Sequence, residues 1–185
     1  MKALLSLIAN FLSRRGLVYG FILFTCVFSL AMAFTAEGFF GLEPCRLCVT
    51  QRYPFAIGAV LSLIGLIIVK RGRRAHAGLF GLLSLNFLTN SGIAFYHTGV
   101  ERHWWPSDEL CKLPPMSEGT SFLENIMSAP MGRCDEIPWA DPLLGLSMAN
   151  YNVLLCLGLS VLCASGAAMA FGCEEETKTD EQTGS

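Results

Sequence analysis

Four long stretches of this chain carry no charged side chain: residues 16–36 (21 residues), 53–69 (17), 77–96 (20) and 142–173 (32). About 20 apolar residues cross the hydrocarbon layer of a bilayer as a helix. The runs therefore predict four transmembrane helices, the 17-residue one lengthened at its ends by Arg52 and Lys70, whose long stems reach the interfaces. A soluble protein would scatter its charges along the chain. Here 52% of residues are hydrophobic and 15% charged, and the charges fall between the runs.

Lys and Arg concentrate on the cytoplasmic side of membrane proteins. Lys2, Arg14 and Arg15 precede the first run, and Lys70, Arg71, Arg73 and Arg74 separate the second from the third. Both termini are thus expected in the cytoplasm. The 45-residue stretch 97–141 has three Lys and Arg against eight Asp and Glu and is expected outside. Arg14-Arg15, an apolar run and Ala31-Met32-Ala33 imitate a signal peptide, but the run exceeds the usual span of about 7–15 residues, which favours a retained anchor. The resulting reading is an all-α membrane protein, an antiparallel four-helix transmembrane bundle with a short first and a long second exported loop. Residues 1–15 form a cytoplasmic interfacial segment, 16–172 the catalytic bundle with exported loops at about 37–51 and 97–141, and 173–185 a disordered cytoplasmic tail. Within the long loop, Phe122, Leu123, Ile126 and Met127 predict one or two amphipathic turns. The net charge of −2 and the lack of a basic cluster outside the membrane flanks argue against nucleic acid.

The eight cysteines form two populations. Cys26, Cys156 and Cys163 lie inside spans and Cys173 at the cytoplasmic end of the last, where free Cys behaves as a small hydrophobe. Cys45, Cys48, Cys111 and Cys134 all fall on the exported side, where thiols are oxidised. Structural disulfides, a four-thiolate zinc site and redox chemistry are all compatible with two such pairs. Position favours redox chemistry. A C-x-x-C at a helix start sets a sulfur against unpaired N–H groups and the positive end of the helix dipole, which stabilises the reactive thiolate. Arg52 follows Cys48 by four residues, one turn on along the same face, either as an interfacial anchor or as a cation beside a thiolate. His97 and Glu101 share a face at the exit of the third helix if that helix continues. Asn86 and Asn90, deep in the third span, are expected to hydrogen-bond between helices.

Taken together, Pro44-Cys-Arg-Leu-Cys-Val-Thr-Gln-Arg52 with Pro54, Tyr96-His-Thr-Gly-Val-Glu101 with Trp104-Trp105, Cys111, Cys134-Asp-Glu-Ile-Pro-Trp139 and Gly145-Leu-Ser-Met-Ala-Asn-Tyr-Asn152 resemble the disulfide bond formation protein B (DsbB) family over residues 16–171. Gln51 stands where some members carry Glu. The resemblance implies a quinone-dependent protein-disulfide oxidoreductase of the bacterial inner membrane. Cys111 and Cys134 would form the loop disulfide attacked by a soluble periplasmic thioredoxin-fold dithiol oxidase of the DsbA type. Cys45 and Cys48 would form the disulfide next to the membrane, Cys48 giving electrons to a membrane quinone, ubiquinone rather than menaquinone. Arg52, His97 and Glu101 would bind that quinone, and no metal is implied. A vitamin K epoxide reductase type is disfavoured because its C-x-x-C follows the loop cysteines. A reductant conduit would want paired cysteines within the spans. The alternative from another class is a structural tetraspan protein held by two extracytoplasmic disulfides.

Overall fold

The computed structural model describes residues 14–70, 72–106 and 132–183, with side chains in the last helix as far as Ala170. Its helices are α1 (Arg15–Phe40), α2 (Arg46–Thr50), α3 (Arg52–Ile67), α4 (Arg73–Glu101) and α5 (Met148–Thr183). Four segments are long and apolar enough to cross a membrane: Arg15–Phe40, Arg46–Ile67, Arg73–Glu101 and Met148–Ala170. These correspond to the four uncharged runs. The predicted interfacial segment before residue 14, the amphipathic turns at 122–127 and Cys111 lie outside the described residues.

The helices outrun the uncharged stretches at the end that carries Cys45. α1 continues past Glu37 to Phe40 and stops at Gly41, whose φ of 62° is a left-handed turn that glycine adopts without strain. The amides of Gly41 and Leu42 then reach back to the carbonyls of Glu37 and Ala36, a glycine-terminated helix stop. α4 likewise runs through His97 to Glu101, so part of the expected long loop is helix. At the opposite end α5 extends to Thr183, through the segment whose polarity predicts a disordered tail. Glu, Lys and Gln are good helix formers, and a helix already begun lengthens without a new nucleation step.

Pro54 shapes the second span. Lacking an N–H, it leaves the Thr50 carbonyl without its helical partner, and its ring crowds that carbonyl. α2 ends at Thr50 and α3 begins at Arg52, with Gln51 as the hinge between them.

Packing pairs α1 with α3 and α4 with α5, and joins the pairs through α3 and α4. In lipid the hydrophobic effect does not drive helices together, so small residues and close contact must. Gly65 lies under the Tyr19 ring, Gly58 under Phe87 and Cys26, and Gly166 against Phe80. Tyr19 stacks on Phe80 (4.5 Å between centroids) and hydrogen-bonds His76 Nδ1 at 3.1 Å. Cys26, Cys156 and Cys163 are buried in this core, as their positions predict. The asparagines bond between helices as expected: Asn86 donates to the Pro54 carbonyl at 2.9 Å and Asn90 to Cys156 Sγ at 3.2 Å.

Beyond α4 the chain folds back on itself. His103 takes a positive φ of 57°, the Trp104 amide bonds the Gly99 carbonyl at 2.9 Å, and Trp105 donates its indole N–H to the Tyr96 carbonyl at 3.1 Å. A Cβ on Gly99 would stand inside the Trp105 ring. Gly99→Ala should therefore displace Trp105 and destabilise the fold by about 1–3 kcal/mol, lowering the thermal midpoint in detergent and altering tryptophan emission. Gly92→Ala, with open space at its Cβ, should leave both unchanged; equal behaviour of the two variants would refute this account.

Candidate functional site

Cys45 is the N-cap of α2. Its extended backbone (φ −77°, ψ 165°) precedes the first turn, and its Sγ accepts the Cys48 amide at 3.2 Å. The C-x-x-C spacing thus does what its position predicts, placing one sulfur at the start of a helix where amides lack partners. The Cys45 Sγ lies 2.9 Å from the Cys48 Sγ and donates its S–H there.

A third sulfur arrives from the long connection. Gly132 forms a backbone bridge beside Cys45, and its missing side chain permits this approach: a Cβ there would stand 2.5 Å from the Glu43 carbonyl oxygen. Two residues later Cys134 is fully buried against Cys45 in a small cluster with Val100, edged by Leu47, Cys48, Tyr96 and Trp105. Hydrogen bonding with the sulfurs of Cys134 and Cys48, then burial, pushes the Cys45 thiol well above the ordinary thiol range, while the Cys48 amide opposes them.

α4 closes the site from the other side. His97 Nε2 is 3.4 Å from Cys45 Sγ and 3.7 Å from Glu101 Oε1, so the expected shared face exists. Both residues are buried, at 3% and 6% exposure. The other ring nitrogen of His97 takes Gln51 Nε2 at 3.0 Å, and Gln51 Oε1 accepts from Asn152 Nδ2 on α5. Glu101 is held by Ser147, which donates to its Oε2 at 2.5 Å and also caps α5 by accepting the Asn150 amide.

Arg52 differs from expectation. Its guanidinium pairs with Glu37 of α1 and lies over the Phe34 ring, 5.2 Å from the centroid, and it makes no hydrogen bond to Cys48. Gln51 keeps a right-handed helical backbone (φ −68°, ψ −14°) between Cys48 and Arg52, so the difference lies in the partner that Arg52 takes, the Glu37 carboxylate of the neighbouring helix. The Arg52 Nε is buried without a partner among the described residues. A buried cationic donor with no acceptor is costly unless a ligand supplies one.

Cys45, Cys48 and His97 offer three ligand atoms within 4.8 Å of one another, which a metal ion could use. The structure thus assembles Cys45, Cys48, Cys134, His97 and Glu101 at one end of the bundle, with Arg52 at its α1 edge. Sequence reasoning did not find Gln51, Ser147, Asn152, Glu37 or Gly132 as site residues. Of these, only Gln51 carried a signal, as the one departure inside the C-x-x-C motif.

Comparison with known proteins covers most of the chain. The profile of the family described as Disulfide bond formation protein DsbB matches residues 14–166. The chain is 34% identical over 161 residues to Disulfide bond formation protein B of Xanthomonas axonopodis pv. citri, covering 80% of this chain and 86% of that one. It is 32% identical over 146 residues to the protein of the same name from Azoarcus sp., covering 71% and 82%. An uncharacterized protein of Rickettsia prowazekii is 28% identical over 158 residues, covering 82% and 88%. No solved structure matches. A four-span bundle with paired cysteines at one end, matched by the family profile over nearly its whole described length, belongs to the DsbB family of bacterial multi-pass membrane proteins that form disulfide bonds.

Proposed function

We propose that this protein reoxidises a soluble periplasmic dithiol oxidase of the DsbA type and passes the electrons to a membrane quinone. The observation that carries the reading is the meeting of Cys134, from the long connection, with Cys45 and Cys48 at the helix start. A purely structural pair of disulfides has no use for sulfurs of different pairs in contact. Exchange between pairs requires it. Lys70, Arg73 and Arg74 lie at the opposite end, and this charge asymmetry supports exported thiols and cytoplasmic termini.

In this reading the partner's thiolate attacks Cys111 of a Cys111–Cys134 disulfide, forming a mixed disulfide and leaving Cys134 as thiolate. Cys134 attacks Cys45 of the Cys45–Cys48 disulfide; the Cys134–Cys45 bond forms and the electron pair leaves on Cys48. The partner's second thiol then attacks the mixed disulfide and departs oxidised, leaving Cys111 reduced. Cys111 attacks Cys134, restoring the loop disulfide, and Cys45 leaves as thiolate. The net change is two electrons and two protons from the partner dithiol, leaving Cys45 and Cys48 reduced until the acceptor reoxidises them.

A membrane quinone supplies the two-electron sink. For the known DsbA system the couple lies near about −120 mV, and ordinary structural disulfides below about −300 mV. Such a disulfide would fall about 8 kcal/mol short of oxidising that partner unaided. The residues present fit a quinone: Arg52 offers a buried Nε–H with no acceptor, beside the Phe34 ring, and Glu37 holds the guanidinium in place. His97 and Glu101 border the same thiols.

Gly132→Ala should push the connection off Glu43, separate Cys134 from Cys45, and slow transfer between the cysteine pairs by about ten- to a hundredfold. Rapid acid quenching and thiol trapping during turnover would follow the Cys45–Cys134 species; an unchanged rate of its formation would count against the exchange route. Arg52→Lys keeps a charge but removes the Nε–H and the planar fork. Both it and Arg52→Ala should raise the KM for quinone about ten- to a hundredfold, while mixed-disulfide formation at Cys111 persists. Steady-state quinone reduction with a reduced partner measures this, and an unaltered quinone dependence would return Arg52 to the role of interfacial anchor. Zinc bound at unit stoichiometry in the purified protein would replace the redox reading with a metal site.

A further inference from the structure

One line of polar side chains runs from the thiols into the bundle, and each member constrains the next. Asn90 Nδ2 donates to Cys156 Sγ (3.2 Å), and Cys156 gives its single proton to Asn152 Oδ1 (3.1 Å). Asn152 is left to donate through Nδ2 to Gln51 Oε1 (2.5 Å), and Gln51 to turn Nε2 toward His97 Nδ1 (3.0 Å). An amide nitrogen donates and does not accept. His97 Nδ1 must then be the bare nitrogen, and the neutral ring carries its proton on Nε2.

The other side of the ring agrees independently. Nε2 faces Cys45 Sγ at 3.4 Å and Glu101 Oε1 at 3.7 Å. Ser147 Oγ accepts both the Asn150 amide and Asn150 Nδ2, so its own proton goes to Glu101, which is an acceptor. A bare Nε2 would put a lone pair against Oε1 of an ionised Glu101. Reversing the tautomer would require Gln51, Asn152 and Cys156 to turn together. The titratable groups around the ring are Cys45, Cys48, Glu101 and Cys134, and α5 contributes the uncharged Asn152.

We propose that Gln51 and Asn152 are positioning residues that lock His97 as its Nε2–H tautomer, so that the ring gives a hydrogen bond to Cys45 when that sulfur becomes a thiolate. The proposal rests on the exchange reading above, in which Cys45 leaves as thiolate when Cys111 attacks Cys134. The Cys45–Cys134 bond breaks, the Cys111–Cys134 bond forms, and the electron pair departs on Cys45. A donor aimed at that sulfur stabilises the charge without giving up its proton.

The tautomer is readable directly. The full-length protein in detergent, labelled with 15N at histidine, contains His76, His97 and His103, and His97→Asn assigns the signals of interest. The wild type should show His97 protonated at Nε2. Asn152→Asp removes the donor to Gln51 Oε1, so the Gln51 amide should turn, present its oxygen to Nδ1 and move the proton there, although residue 152 does not touch the ring. Release of Cys45, read as single-turnover disappearance of the trapped Cys45–Cys134 species, should slow about tenfold or more. Gln51→Glu should also protonate Nδ1 but keep Nε2–H, as an imidazolium, and retain the rate.

A wild-type His97 protonated at Nδ1 alone overturns the proposal, and so does Asn152→Asp with the wild-type tautomer. Should that variant fail to assemble, the wild-type and Gln51→Glu spectra decide. Finding the tautomer as stated, with no exchange toward any thioredoxin-fold dithiol, would instead sink the proposed function and leave the tautomer lock standing.

Discussion

A polar group inside a bilayer-spanning bundle has little water to bond, so every buried donor and acceptor must be met by protein. The thiol end of this structure is organised by that requirement. Cys45 takes the Cys48 amide, Gln51 bridges His97 on α4 to Asn152 on α5, and Ser147 ties the start of α5 to Glu101. These bonds join α2, the hinge, α4 and α5 at one level of the bundle. Lower down there is less polarity to satisfy, and packing changes character: glycines accept aromatic rings from neighbouring helices and thiols fill small gaps. One end is thus held by directed bonds and the remainder mainly by shape.

Directed bonds also sort the two sulfurs of the C-x-x-C pair. Cys45, capping the helix, meets Cys134 and His97, whereas Cys48 sits one turn in and accepts the Cys45 S–H. Two cysteines separated by two residues therefore occupy unlike environments, Cys45 buried against the incoming loop and Cys48 at the edge of that cluster. In the proposed cycle this asymmetry gives direction: exchange enters at Cys45 and charge collects on Cys48. Pro54 contributes from outside the cluster. Lacking an N–H, it leaves the Thr50 carbonyl without a helical donor where α2 ends, one residue before Gln51.

The bundle was largely legible in the residues, because a 20-residue gap between charges admits few structures other than a membrane helix. Helix ends were less so. Glu37 opened the first expected loop and His97 the second, yet both, like Glu101, are within helices and engaged with partners on other elements. The Cys45–Cys48 proximity and the His97–Glu101 face could be read from spacing. The supporting amides could not: Gln51 and Asn152 are 101 positions apart, and neither lies at a motif spacing from His97. Gly132 was invisible for a related reason, since its value lies in an absent side chain beside Glu43.

Arg52 shows that spacing predicts a shared face but not a partner. The cation instead meets the acid that ends the first uncharged run, a pairing that becomes plausible once α1 and α3 are known to be neighbours. A guanidinium has five N–H donors, and Glu37 engages the NH2 edge while Nε stays buried and unanswered. Lysine could satisfy Glu37 as well, but it would leave nothing to present inward. The placement favours arginine for the donor it keeps in reserve, which is the property an acceptor carrying a carbonyl oxygen would use.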